Sequence, residues 1–93
     1  MIEWAISAQN DLLEILAYFA VNQDLETGQK IVNRLLTAVR RLESFPLSGK
    51  AGRIPETREI VLAELPYVLV YHAGPNQVTI LYVVHTARGW PKN

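Results

Sequence analysis

Three runs decide the fold: Arg58-Glu59-Ile60-Val61-Leu62-Ala63-Glu64, Tyr67-Val68-Leu69-Val70-Tyr71-His72-Ala73 and Gln77-Val78-Thr79-Ile80-Leu81-Tyr82-Val83-Val84-His85. Each is rich in β-branched and aromatic residues, which fit a pleated, half-buried surface. Leu65-Pro66 separates the first two runs, and Gly74-Pro75-Asn76 has the composition of a tight hairpin turn. The three runs therefore predict an antiparallel meander. By two-residue alternation Tyr67, Leu69 and Tyr71 share one face, and Val78, Ile80, Tyr82 and Val84 share one face of the next strand. The alternate positions Val68, Val70, Leu81 and Val83 are apolar too. Both faces of the sheet are thus expected to be covered, or one to be an interface.

Upstream of the meander the period changes from two to 3.6. Leu12, Ile15, Leu16 and Phe19 fall on one face of a helix predicted over residues 8–21, with Ser7 as its N-cap. Asn22-Gln23 breaks it. Asp24 is the expected N-cap of a second helix over 25–43, whose buried stripe is Ile31, Val32, Leu35, Val39 and Leu42. Glu26 stands four residues before Lys30, a favourable spacing on a helix surface. Ile2, Trp4 and Ile6 alternate as on a short strand. Residues 44–55 form a loop, because Pro46, Gly49, Gly52 and Pro55 interrupt helix and strand alike. Helices that precede strands give an α+β fold, an N-terminal helical hairpin packed on a small antiparallel sheet.

At 93 residues this reads as a single domain over 1–93, long enough for one core. The 49% apolar content argues for a folded chain rather than a disordered one. With no cysteine, disulfides and thiolate-bound zinc are excluded, and a reducing cytoplasm is the expected compartment. No basic leader segment and no spanning apolar run point to secretion or to a membrane. The net charge is zero, yet its distribution is uneven. Up to Ser44, six acids face Lys30, Arg34, Arg40 and Arg41. Beyond it, Lys50, Arg53, Arg58, Arg88 and Lys92 outnumber Glu56, Glu59 and Glu64. Bulk charge does not mark a nucleic-acid binder.

The usual catalytic constellations are missing. No Gly-x-Ser-x-Gly elbow occurs, and Gly49-Lys50-Ala51-Gly52 lacks the spacing of a phosphate loop. His72 and His85 lie on different strands with no carboxylate cluster beside them, so neither a metal nor another cofactor is expected. What remains is cationic and aromatic: Lys50, Arg53 and Arg58 around the loop, and His85, Arg88 and Trp90 at the C-terminal end. Arginine grips phosphate through paired donors, histidine transfers protons near neutrality, and an indole stacks on a base or fills a pocket. Convergence of the two groups is expected if the Arg58 strand neighbours the last strand. Read singly, Arg58-Glu59 is a solvated surface pair, His72 and His85 are structural or solvent-facing, and Trp90 caps the core.

The order of these pieces resembles the RelE/ParE superfamily, the toxins of bacterial toxin–antitoxin pairs. Ala8-x-x-Asp11-Leu12-x-x-Ile15 is similar to its first helix, and Leu42-x-x-Phe45-Pro46-x-x-Gly49 to the end of its second. Thr57-Arg58-Glu59 with Tyr67-Val68-Leu69-Val70-Tyr71 resembles its central strands. Val78-x-Ile80-Leu81-x-Val83-x-His85 with Arg88-Gly89-Trp90-Pro91 resembles its end.

The resemblance implies one of two activities. RelE-like members cut messenger RNA in the ribosomal A site with lysines and arginines, aided by a C-terminal tyrosine or histidine. ParE-like members lack that constellation and poison DNA gyrase. RelE-like enzymes often carry an arginine after the first aromatic of the central strand, where this chain has Val68. Its loop holds one lysine, Lys50, and no tyrosine follows Trp90. These features resemble ParE-like members more closely. Lys50, Arg53, Arg58, His85, Arg88 and Trp90 are then the implied target-binding residues. Under the ribonuclease alternative, Arg58, His85 and Arg88 are the implied catalytic set. A third alternative is an inactive relative that only binds its antitoxin. The implied partners are a cognate antitoxin and DNA gyrase, or the ribosome and mRNA in the alternative. A homodimer and a toxin–antitoxin hetero-oligomer are the implied assemblies.

Overall fold

The structure is a computed structural model and describes residues 1–87. Its elements are β1 (Ile2–Trp4), α1 (Ile6–Val21), α2 (Leu25–Ser44), β2 (Lys50–Ala51), β3 (Arg58–Val61), β4 (Tyr67–Ala73) and β5 (Val78–His85). The strands form one sheet in the order β1-β5-β4-β3-β2. The expected meander is its centre. Two strands extend it: β2, antiparallel to β3 within the expected loop, and β1, which pairs with β5 in parallel. The sheet is therefore mixed, and the helical hairpin covers one of its faces.

The α2 stripe packs as its periodicity requires, with Val32 half-buried beside it, whereas of the expected α1 stripe only Ile15 is buried and Leu12, Leu16 and Phe19 are half-buried. Ile31, Leu35, Val39 and Leu42 of α2 join Ala8 and Ile15 of α1 and Leu69, Tyr71, Val78 and Ile80 of the sheet in one buried cluster. Each fully buried leucine or isoleucine there contributes about 1.5–3 kcal/mol through removal from water. The two helices meet closely at Gly28. A Cβ on that residue would lie 2.9 Å from Phe19 Cβ, so only glycine permits the approach.

Between the helices, the Asp24 amide donates to Phe19 O at 2.8 Å and the Gln23 amide to Ala20 O at 3.2 Å. Gln23 takes φ 55°. This is the paired-bond helix stop usually built on glycine, here made with a side chain that tolerates the left-handed region at some cost.

Two local expectations are corrected. Ser7 is not the N-cap of α1, which begins at Ile6 with Ala5 preceding it. The Ser7 hydroxyl instead donates to Leu81 O at 2.6 Å. The faces of β5 also differ from strict alternation. Val70 pairs with Tyr82 and Tyr71 with Ile80, so Leu81 is an extra residue in a β-bulge. Beyond it the faces exchange. Val83, not Tyr82, continues the Val78–Ile80 row toward the helices. Val84 turns to the opposite face, where it clusters with Val68 and Val70.

The bulge lies where β1 has ended and the outer edge of β5 has lost its strand partner. Helix α1 seals that edge with side chains: Ser7 takes the Leu81 carbonyl, and the Asp11 carboxylate accepts the Val83 amide at 2.8 Å. Asp11→Ala is expected to cost about 1–3 kcal/mol, because it leaves that part-buried amide without its acceptor. Asp11→Asn keeps an oxygen and should lose less than half as much. Urea unfolding of the two variants checks the ordering, and equal losses would remove the amide as the cause.

Candidate functional site

Two surfaces collect the polar side chains, and they lie at opposite ends of the sheet. The first is built by loop residues 45–57 and β3. Helix α2 ends at Ser44, and the chain crosses the end of β4, where Tyr71 is wholly buried. The Tyr71 hydroxyl accepts from the Gly49 amide at 2.9 Å and donates to Pro46 O at 2.9 Å. A Cβ at Gly49 would lie 2.7 Å from that hydroxyl, so glycine is what allows the contact. Arg58 donates from Nη1 to Gly49 O at 2.9 Å and to Leu47 O at 3.2 Å. Its guanidinium braces the loop from below.

Glu59 points the other way, since successive residues of a strand face opposite sides. Its Oε2 accepts from the Arg53 amide at 2.8 Å, and Oε1 lies 3.7 Å from Arg53 Nε. The Glu59 side chain is fully buried while that of Arg53 is half exposed. The solvated Arg58-Glu59 pair expected from adjacency is thereby corrected: the two side chains sit on opposite faces and each grips the same loop. Lys50 stands exposed on β2, directly across from Glu59.

The second surface is a groove of about 470 Å³ where α1 and α2 meet the far end of β4 and β5. Asp11, Glu14, Ile15, Phe19, Tyr67 and His85 are among its walls. His85 is half-buried, and its ring meets Tyr67 edge-on at 5.2 Å. Its Nδ1 accepts from the Ala87 amide at 3.0 Å. A neutral ring in that arrangement carries its proton on Nε2.

The expected convergence does not occur among the described residues. Arg58 is level with Tyr71 on β3, whereas His85 is level with Tyr67 on β5. Four residues along β4 and two strand spacings separate them, roughly 16 Å. β4 lies between their strands, so the condition for convergence is not met. His72 is exposed on β4 opposite Thr79. Arg88 and Trp90 lie outside the described residues. Val68 is 5% exposed in the cluster with Val70 and Val84, across from Val61. Sequence reading missed Tyr71, Glu59 and Asp11 as site-building residues. Only Gly49, close to a proline in a loop, hinted at a near approach. No helix of the described residues is long and apolar enough to cross a membrane.

A helical hairpin packed on this sheet is the fold that the resemblance to RelE/ParE-superfamily toxins implies. Within that superfamily the chain belongs to the family described as "ParE toxin of type II toxin-antitoxin system, parDE", whose model matches residues 2–90. It is 41% identical over 91 residues to "Putative toxin Y4kP" of Sinorhizobium fredii (strain NBRC 101917 / NGR234), spanning 98% of this chain and 93% of that protein. A solved structure, "Chromosomal ParDE TA system from P. aeruginosa", has the same fold with TM-score 0.80 at 21% identity, covering 90% of this chain and 92% of the other. The protein is thus a ParE-like toxin of a type II toxin–antitoxin pair.

Proposed function

We propose that this toxin arrests bacterial growth by binding and poisoning DNA gyrase in the cytoplasm, and that a cognate antitoxin neutralises it. One observation carries the choice of target. Val68, where RelE-like ribonucleases often place an arginine, is packed into a buried valine cluster. A cation there would sit in an apolar layer, at high desolvation cost. The separation of Arg58 from His85 supports the same reading, because phosphoryl chemistry requires its charges to meet at one atom.

Induction in bacteria is expected to produce DNA breaks and loss of supercoiling with intact transcripts. Cuts in ribosome-bound mRNA would replace this reading with the ribonuclease one. Absence of any growth effect would favour an inactive antitoxin-binding relative.

The antitoxin reading rests on surface chemistry as well as family. Ile6, Leu13 and Val21 are 74%, 63% and 81% exposed along the outward side of α1. A partner helix or strand laid across the hairpin and the sheet edge would remove this apolar surface from water.

A further inference from the structure

Arg58 and Glu59 are neighbours that hold one loop from two faces of a sheet. Arg58 takes the carbonyls of Leu47 and Gly49. Glu59 takes the amide of Arg53 and stands beside its guanidinium. The Arg58 clamp, with Tyr71, accounts for the path of the chain up to Gly49. The Glu59 contact is harder to justify as a stabilising device. Its carboxylate is fully buried, Val70 is its cross-strand neighbour, and Oε1 has no hydrogen-bond partner. Burying a charge beside a half-exposed arginine is costly, and an apolar residue of similar volume often serves stability as well or better. What the carboxylate provides and an apolar residue would not is a fixed position for Arg53, through both its amide and its side chain.

We infer that Glu59 is a positioning residue for target recognition: it fixes the Arg53 segment so that Arg53, on the same loop as the exposed Lys50, is presented in a set position to an anionic group on the target. The inference rests on the reading that this loop contacts the target. Rigid presentation matters because ordering a loop at the moment of binding subtracts from affinity. The clasp makes that ordering part of folding instead. Antitoxin binding, laid over the apolar side of α1, does not draw on it.

The experiment compares Glu59→Met, Glu59→Gln, Lys50→Ala and Arg53→Ala in the full chain. The readouts are growth inhibition at graded induction, antitoxin affinity, thermal unfolding and hydrogen exchange at the Arg53 amide. Glu59→Met is expected to unfold at nearly the wild-type temperature and to bind antitoxin normally. Its Arg53 amide should exchange on the order of a hundredfold faster once its acceptor is gone, and its toxicity should fall on the order of tenfold or more. Glu59→Gln keeps an oxygen for that amide and should retain protection and part of the toxicity. If Lys50→Ala and Arg53→Ala are both fully toxic, the loop is not the target contact and the underlying reading fails. If they lose toxicity while Glu59→Met keeps it, only the positioning role is overturned. It is equally overturned if Glu59→Met unfolds, or loses antitoxin affinity and toxicity together, with Glu59→Gln behaving the same way. Glu59 would then be a structural residue.

Discussion

Tyr71→Phe is expected to destabilise the protein by about 2–4 kcal/mol, although it removes a single oxygen. The hydroxyl makes two hydrogen bonds, to the Gly49 amide and the Pro46 carbonyl, and the residue is wholly buried. Losing a typical hydrogen bond costs about 1 kcal/mol, and a buried amide left unsatisfied adds about 1–3 kcal/mol. For a domain of this size that lowers the melting temperature by roughly 10–30 °C. Toxicity should fall as well, because the loop that carries Lys50 and Arg53 loses its anchor to the sheet. Thermal unfolding and growth inhibition measure the two effects. A variant that melts within a few degrees of wild type would mean that the loop is held by Arg58 and Glu59 without help from Tyr71. Ser48→Ala, an exposed change beside the same glycine, should leave both readouts unchanged.

The fold was legible where one periodicity governs a long segment. Of the expected α2 stripe, Ile31, Leu35, Val39 and Leu42 are buried as their spacing requires, and Val32 is half-buried at its edge. In β5 nearly every residue is apolar, so alternation carries no signal. The bulge at Leu81 then moves Val83 into the core and Tyr82 out of it without any mark in composition. Ser7 has the right chemistry for a cap but a stronger use elsewhere: α1 emerges from a strand parallel to β5, and this places Ser7 beside an unpaired carbonyl.

The site was legible as a set of residue types and not as an arrangement. Lys50, Arg53 and Arg58 stand out by charge. Their roles depend on carbonyls and amides of the loop, which a sequence carries identically at every position. Glu59 looked solvated because glutamate usually is. Its burial follows from the way loop 52–57 folds back within the β2–β3 hairpin and sets the Arg53 amide on its carboxylate, a matter of turn geometry that residue types do not mark. The separation of Arg58 from His85 is a matter of strand order. β4 lies between β3 and β5, as a simple meander dictates, so convergence was disfavoured by the same topology that the sequence predicts.

The double change Arg88→Ala with Trp90→Ala is expected to abolish toxicity while the domain stays folded and still binds antitoxin. Both residues follow β5 in the sequence, and their chemistry suits a partner's surface: a guanidinium for an anion and an indole for a pocket. The competing expectation is that the indole belongs to the core. Its removal would then cost about 2–3 kcal/mol of burial and lower the melting temperature by roughly 10–20 °C. The single variants separate the two. Arg88→Ala should lose toxicity with no change in melting, since a guanidinium used for recognition contributes little to folding. Trp90→Ala should lose toxicity with only a small shift. Full toxicity in Arg88→Ala, or unfolding of Trp90→Ala, would take these two residues off the target-binding surface and leave recognition to the loop that carries Lys50 and Arg53. The two outcomes also differ in antitoxin binding. Loss confined to toxicity would mean that target and antitoxin use separate surfaces, and an unfolded Trp90→Ala chain would lose both together.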